Sequence, residues 1–207
     1  MWMVLRTIFF NGICCYLMLS GCSIQPNKNS NACYVLTHHQ SWYNSLSRSE
    51  KKYNIPKYTT LAIIAEESNF ISNAKPRYKY FLGLFPYQRI STAEGYSQAL
   101  NATWKDYQRS TGRKKAVRQN FDDASDFIGW YLNKASKNLS ISKNDTKSLY
   151  LAYHEGINGY KKKNPNFGPN LNRVATRVKN RNYKYIREAA HCQNKLTFWQ
   201  WLYFWDY

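Results

Sequence analysis

The sequence predicts a mainly α-helical fold. Its clearest helix runs from Asn120 to about Asn138, where apolar side chains recur at the three- and four-residue spacing of one helix face. Asn120 is a suitable N-cap, and Asp122 and Asp123 place negative charge in the first turn, where the helix dipole favours it. Alternating strand patterns longer than a few residues do not occur in the sequence, so helices should build the core.

Five other segments carry helical patterns, and one long stretch does not. The stretch 71–94 is rich in aromatic and basic residues and is interrupted by Pro76, Gly83 and Pro86, so it is predicted to be irregular. Asn54 and Pro56 end the first helix of the domain, and Gly156 ends the helix that begins at Asp145. The predicted segments are Gln40–Tyr53, Leu61–Phe70, Leu100–Ser110, Asp145–Tyr153 and Pro169–His191.

The chain is strongly basic, with a formal net charge of +18. Such a charge attracts polyanions, which include nucleic acid, anionic lipid and anionic cell-wall polymers. The short runs 113–115 and 161–163 are each interpreted as solvated surface when taken alone. The charge therefore indicates an anionic partner without choosing among the three.

Residues 1–21 have the pattern of an export signal. A single charge at Arg6 precedes an apolar stretch that is too short to span a bilayer comfortably. The stretch ends in Leu19-Ser20-Gly21-Cys22, which resembles the bacterial lipobox, where the Cys is acylated and becomes the first residue. An ordinary cleaved signal or an N-terminal anchor helix are the alternatives, and the small residues before Cys22 favour the lipobox.

A lipobox implies where the chain works. Ser23, in place of Asp, implies the periplasmic face of the outer membrane, with residues 22–39 as a lipid-anchored tether. A protein placed there meets the membrane and peptidoglycan but no nucleic acid. The aromatic tail 193–207 is predicted either to dock on the domain or to lie in the membrane interface.

The cysteines predict a disulfide and no metal site. Cys14 and Cys15 are lost with the signal and Cys22 takes the lipid, so Cys33 and Cys192 remain to pair in an oxidising compartment. The sequence contains neither a C-x-x-C nor an H-E-x-x-H motif, and the adjacent His38 and His39 are interpreted as a surface pair. Neither a metal nor another cofactor is expected.

Glu67 is the strongest candidate for acid–base chemistry. On a helix it projects between Ile63 and Ile64, so lost solvation should raise its pKa. Glu66 is expected to be more exposed and to stay ionised. On this spacing alone, the simpler interpretation is that Glu67 is the polar end of a core helix.

Four stretches resemble the soluble-lytic-transglycosylase-type domains of the lysozyme-like superfamily, in the family's order. Residues 62–70 contain the Glu-Ser motif, 95–104 resemble the Gly-Leu-Met-Gln segment, 151–156 resemble Ala-Tyr-Asn-x-Gly, and 174–181 fit the closing helix. The resemblance implies a lysozyme-like helical domain with a substrate cleft over residues 40–192. Two positions depart from the family pattern, because Ser97 replaces Met and His154 replaces Asn.

The resemblance also implies an activity and a set of site residues. Glu67 would act as catalytic acid and base on the bond between N-acetylmuramic acid (MurNAc) and N-acetylglucosamine (GlcNAc), leaving 1,6-anhydro-MurNAc ends. Ser68 would orient Glu67 or an acetamido group, and Tyr153 would hydrogen-bond Glu67 or the transition state. Gln98 and Tyr96 would bind the sugar. The enzyme is expected to act as a monomer on peptidoglycan strands.

Three alternatives remain open at this point. A second carboxylate would make the protein a hydrolytic muramidase, and Glu155 is the candidate, although a simple surface Glu is the favoured interpretation. A non-catalytic peptidoglycan-binding lipoprotein is the second alternative, and a nucleic-acid binder is the weakest. The aromatic residues of the stretch 71–94 are expected either to stack on sugar rings or to pack within their loop; they are Tyr78, Tyr80, Phe81, Phe85 and Tyr87.

Overall fold

The computed structural model describes residues 25–82 and 84–192. The predicted signal, the lipid site Cys22 and the aromatic tail 193–207 lie outside these residues. Within them the chain is mainly helical, which confirms the predicted fold class. The elements are α1 (Ala32–His38), α2 (Gln40–Tyr53), α3 (Lys57–Ser68), β1 (Tyr78–Phe81), β2 (Phe85–Arg89), α4 (Asn101–Thr111), α5 (Phe121–Leu139), α6 (Thr146–Lys163) and α7 (Pro169–Ala190).

Helix α5 is the centre of the domain. The side chain of Asn120 accepts hydrogen bonds from the backbone N–H groups of Asp122 and Asp123, as an N-cap does. Its apolar stripe, which includes Phe127, Ile128 and Leu132, is buried against α2 and α6. Through this stripe, α5 packs against α2 and α6 in the core of the domain.

Helix α3 is buried on almost every side. Residues 61–65 are fully buried, and the helix packs against α7, α2 and α5. It ends at Asn69, which adopts the left-handed conformation with φ of 53°. The last turn therefore places Glu66 and Glu67 at the edge of the core, where both are partly buried.

The stretch 71–94 is not wholly irregular, contrary to the sequence prediction. Strands β1 and β2 pair antiparallel, with an irregularity in the register between Lys79 and Tyr80. Nearly every described side chain of the two strands is exposed. Because neither face is buried, the sequence shows no apolar–polar alternation by which the hairpin could have been predicted.

Helix α6 extends beyond its predicted end. Gly156, with φ of 76° and ψ of 159°, kinks the helix where the sequence predicted its end, and helical structure resumes as far as Lys163. Glycine adopts this positive φ without the steric cost that a Cβ atom would add. The kink divides α6 into two helical parts, with Gly156 at the junction.

Asp126 on α5 is a buried acceptor of hydrogen bonds. It is 7% exposed and accepts hydrogen bonds from the hydroxyls of Tyr53 and Tyr107 and from Lys52. The guanidinium of Arg113 lies 3.6 Å from the same carboxylate. Asp126 therefore ties α2 and α4 to α5.

Replacing Asp126 by Ala is expected to lower the free energy of unfolding by about 2–4 kcal/mol, because the buried hydroxyls of Tyr53 and Tyr107 lose their acceptor. The matched control is Asp106→Ala, which removes only an exposed ion pair with Arg109 and should cost less than about 1 kcal/mol. Urea denaturation of both variants measures the difference. If both variants lost the same small free energy of unfolding, Asp126 would not stabilise the packing of α2 and α4 on α5.

A disulfide joins the two ends of the described domain. Cys33 on α1 and Cys192 beyond α7 have Cα atoms 5.9 Å apart and are separated by 159 positions in the sequence. Among the described residues, no helix is both long and apolar enough to cross a membrane.

Candidate active site

A cleft of about 510 Å³ opens between the end of α3, the loop before α4, α5 and the kink of α6. Both carboxyl candidates from the sequence, Glu67 and Glu155, contribute to its walls. The other lining residues are Pro76, Ile90, Ser91, Ala93, Gln98, Ala99, Leu100, Thr103, Phe127, Tyr131, Tyr153, His154 and Gly156.

Glu67 lies on the last turn of α3 and reaches the cleft. Burial raises its pKa to about 7, a hydrogen bond with Tyr150 acts in the opposite direction, and the negative charge of Glu66 adds to the rise. A carboxyl group with this pKa is present in both protonation states near neutral pH. It can therefore give up a proton and take one back without a change of conditions.

Tyr150 is the residue that the sequence prediction missed. It lies on α6, is 3% exposed and hydrogen-bonds Glu67. Burial and the nearby Glu67 both raise the pKa of Tyr150, so its hydroxyl stays protonated as a donor. Tyr150 precedes Tyr153 by three positions, which places both on one helix face, and this spacing was the signal that could have identified it.

Of the two partners predicted for the Tyr153 hydroxyl, Glu67 and the transition state, Glu67 is not its acceptor in the structure. Its hydroxyl donates to the backbone carbonyl of Ser97, while its ring lines the cleft. Burial raises the pKa of Tyr153, and the charge of Glu67 adds to the rise. Tyr153 therefore joins α6 to the loop 95–98, and Tyr150 takes the predicted place beside Glu67.

Glu66 is ionised, as expected, but the reason is different. Its side chain is only 11% exposed and forms salt bridges with Arg177 and Arg181 of α7. Burial alone would raise its pKa, and the hydrogen bonds from the two arginines hold the pKa below its ordinary value. A fixed negative charge therefore sits beside Glu67.

Removing that charge should move the pH dependence of activity. If Glu67 is the acid that the sequence predicts, kcat/KM should fall as pH rises through about 7, where Glu67 loses its proton. In Glu66→Gln the negative neighbour is lost and two cations lose their partner, and both changes lower the pKa of Glu67. In Glu66→Gln the decrease of kcat/KM with rising pH should therefore begin about one pH unit lower than in the wild type, as measured on glycan strands.

Two further variants test that shift. Tyr150→Phe removes a hydrogen bond that favours ionised Glu67, so the fall should move to higher pH. Glu50→Gln alters a glutamate that pairs with Lys57 and does not line the cleft, so its profile should match the wild type. If Glu66→Gln and Glu50→Gln gave identical pH profiles, the charge of Glu66 would not control the pKa of Glu67.

Gln98 lines the cleft in a rigid orientation. Its side-chain amide N–H₂ donates to the carbonyls of Ala74 and Gly95, at 2.9 Å each, and its own φ is 47°. With both amide protons used, the orientation of the side chain is fixed and its oxygen is the group left for a ligand donor. This position fits the predicted sugar-binding role.

Ser68 and Tyr96 do not line the cleft. Ser68 is 4% exposed, and its hydroxyl donates to the carbonyl of Ile64 in its own helix. The Tyr96 ring packs edge-on against Trp42 and Phe121 in the core. Both side chains are buried, and this geometry gives no support to the substrate-binding roles predicted for them.

Glu155 belongs to the cleft and is not the simple surface residue that the sequence favoured. Its side chain is 15% exposed, and its carboxylate lies 2.6 Å from Lys163 and 3.5 Å from His154. The hydrogen bond from Lys163 is the main reason that its pKa lies below the ordinary value. The cleft thus holds an ionised carboxylate in addition to Glu67.

The aromatic hairpin begins at the rim of the cleft. Pro76 and Ile90, which flank its strands, line the cleft. Tyr78, Tyr80, Phe85 and Tyr87 are between 43% and 64% exposed, so they do not pack within a loop. In residues 25–82 and 84–192, no cluster of three or more His, Cys, Asp or Glu side chains could hold a metal ion.

Comparison with known families identifies the domain. The family model described as the transglycosylase SLT domain matches residues 10–192, which is most of the chain. A comparison with curated proteins gives no significant match. The helical architecture agrees with the family match and with the resemblance of the sequence motifs. The chain therefore belongs to the transglycosylase SLT domain family, which implies lytic transglycosylase activity on peptidoglycan.

Proposed function

We propose that the protein cleaves the MurNAc–GlcNAc bond of peptidoglycan and leaves 1,6-anhydro-MurNAc ends, with Glu67 as its catalytic residue. The observation that carries this proposal is the pKa of about 7 for a carboxyl group that faces the cleft. A single group that is half protonated near neutral pH suits a reaction that uses it first as an acid and then as a base.

In the first step Glu67 acts as an acid. It donates its proton to the glycosidic oxygen, the bond from C1 of MurNAc to that oxygen breaks, and the GlcNAc side leaves as an alcohol. The acetamido oxygen of MurNAc bonds to C1 as the glycosidic bond breaks and takes up the positive charge that develops there. Gln98, held by two backbone carbonyls, offers its amide oxygen to an N–H or O–H group of the sugar.

In the second step Glu67 acts as a base. It removes the proton of the C6 hydroxyl of MurNAc while O6 bonds to C1 and the acetamido oxygen leaves C1. The product is the 1,6-anhydro ring, no water is consumed, and Glu67 is again protonated. The hydrogen bond from Tyr150 stabilises the ionised carboxylate between the steps, and the charge of Glu66 favours its reprotonation.

Hydrolysis is the second candidate, and the position of Glu155 favours it. A hydrolytic muramidase pairs a protonated carboxyl with an ionised carboxylate, and their surroundings push the two pKa values apart. Glu67 and Glu155 line one cleft and meet this description, because burial raises the pKa of Glu67 and Lys163 lowers that of Glu155. Products that end in reducing MurNAc would distinguish this candidate.

Mass spectrometry of digested cell walls tests the proposal. The full protein should release fragments that end in 1,6-anhydro-MurNAc, and Glu67→Gln should release none. Glu155→Gln, the matched control in the same cleft, should release the same anhydro products as wild type. Reducing ends that disappear in Glu155→Gln would establish hydrolysis, and wall binding without products from any variant would establish a non-catalytic binding protein.

We also propose that Cys22 carries lipid and anchors the monomeric enzyme to the periplasmic face of the outer membrane. The lipobox-like end of the signal and the Ser at position 23 support this placement. Metabolic labelling with a fatty-acid analogue should mark the wild type and not Cys22→Ala. Equal labelling of the two would contradict the anchor.

A further inference from the structure

The tip of the hairpin exposes large apolar side chains to solvent. Leu82 is 77% exposed, Leu84 is 74% exposed and Phe85 is 64% exposed. Together these three residues are called the hairpin tip below. Apolar residues scattered singly are normal on a protein surface, whereas three large and exposed ones within four positions of the chain favour a contact with another apolar phase or partner.

Tyrosines and cations follow the hairpin tip in order along the hairpin. Tyr80 and Tyr87 come next, each more than half exposed, and Lys79 and Arg77 lie farther from the tip. The sequence has no acidic residue between Glu67 and Glu94. This order matches the layers of a bilayer. Apolar side chains suit the acyl chains, aromatic rings suit the interface, and cations suit the anionic headgroups.

The same features do not fit a sugar platform. Stacking on a sugar uses the face of an aromatic ring, whereas Leu82 and Leu84 offer no ring. The guanidinium of Arg89 already covers the ring of Tyr78, at 4.2 Å from its centroid. The exposed side chains also lie on both faces of the hairpin, while a glycan strand would contact one face.

A short segment of sequence joins the predicted lipid site Cys22 to the part of the domain from which the hairpin starts. The backbone N–H of Lys28 donates to the side chain of Asn69, at 2.7 Å, so the segment after Cys22 is tied to the end of α3. The stretch that forms the hairpin starts there, at Ile71. Cys22 and Lys28 are six positions apart, so the chain between them spans at most about 20 Å when extended, and this limits how far the domain can stand from the bilayer.

We propose that the hairpin is a second membrane contact, which places its tip among the acyl chains of an anionic bilayer and its cations at the headgroups. Because Pro76 and Ile90 at the base of the hairpin also line the cleft, this contact fixes the orientation of the cleft relative to the membrane. The inference rests on the proposed anchor at Cys22 and is independent of the chemistry at Glu67.

A fluorescent probe at Leu84 tests the contact in the full lipoprotein. Cys22 would be acylated and Cys33 is bonded to Cys192, so Leu84→Cys supplies a single reactive thiol for an environment-sensitive dye. In phosphatidylglycerol vesicles its emission should shift to the blue and be quenched by lipid-borne quenchers. The same dye at Val117→Cys, an apolar residue 51% exposed outside the hairpin, should not change.

The cations are tested on the same labelled protein. Arg77→Gln with Lys79→Gln should lower the equilibrium constant for insertion by about 30-fold, because each cation near an anionic surface contributes about fivefold. Lys161→Gln with Lys162→Gln, an exposed pair outside the hairpin, is the matched control. The intact mass of the protein shows separately whether Cys22 is acylated. A protein without the lipid is therefore distinguished from a lipidated protein whose hairpin does not enter the bilayer.

Three outcomes would overturn the inference. One is an unchanged Leu84 probe in anionic vesicles, and another is an equal response in phosphatidylcholine and phosphatidylglycerol. The third is a probe that responds only to added glycan strands, which would assign the hairpin to the substrate. The Glu67→Gln protein should give the same vesicle response as wild type, whatever its activity.

Discussion

Replacing Glu67 by Gln is expected to lower kcat/KM for glycan-strand cleavage by at least about 10³-fold, because one carboxyl group serves as both acid and base. The amide has nearly the same shape but has no acidic proton to donate. The cleft and its other walls stay in place, since Glu67 lies at the end of α3 and outside the buried run 61–65. Initial rates on purified glycan strands measure the effect.

Two controls show whether the loss belongs to Glu67 itself. Wall binding by Glu67→Gln should match wild type, since the reaction and not the cleft is removed. Glu155→Gln should keep its rate within a few-fold if no second carboxylate takes part. A Glu67→Gln rate within about tenfold of wild type would contradict the catalytic assignment, because general acid–base catalysis contributes at least 10²-fold.

Removing the disulfide is expected to lower the free energy of unfolding by about 4–5 kcal/mol in the chain-entropy model. The reason is the length of the loop that it closes, which spans 159 positions between Cys33 and Cys192. The double variant Cys33→Ser/Cys192→Ser, unfolded in urea, measures the loss. Wild-type protein unfolded after reduction is the control and should show the same loss, whereas a loss below about 1 kcal/mol would contradict the entropic account.

Helices were predictable where one face is buried. The stripe on α5 and its cap at Asn120 are local patterns, and the structure has both. The hairpin was missed because its side chains are exposed on both faces, so no period of two appears in the sequence. The extension of α6 past Gly156 was also missed, since a glycine with positive φ there kinks the helix without ending it.

The site was predictable only in part, because side-chain direction depends on distant helices. Glu67 could be singled out from its isoleucine neighbours on α3, and the raised pKa agrees with that reasoning. The partners of Glu66 come from α7, far along the chain, and local spacing does not encode them. For the same reason the sequence could not tell that Ser68 and Tyr96 face the core or that Glu155 faces the cleft.

The most direct test of the central claim is digestion of peptidoglycan in water labelled with oxygen-18. If Glu67 alone transfers the proton and O6 closes the ring, the new MurNAc ends carry no label. The same unlabelled ends should form with Glu155→Gln. Label in the new MurNAc ends of the wild-type products would show that water attacks C1, and it would contradict the one-carboxylate mechanism.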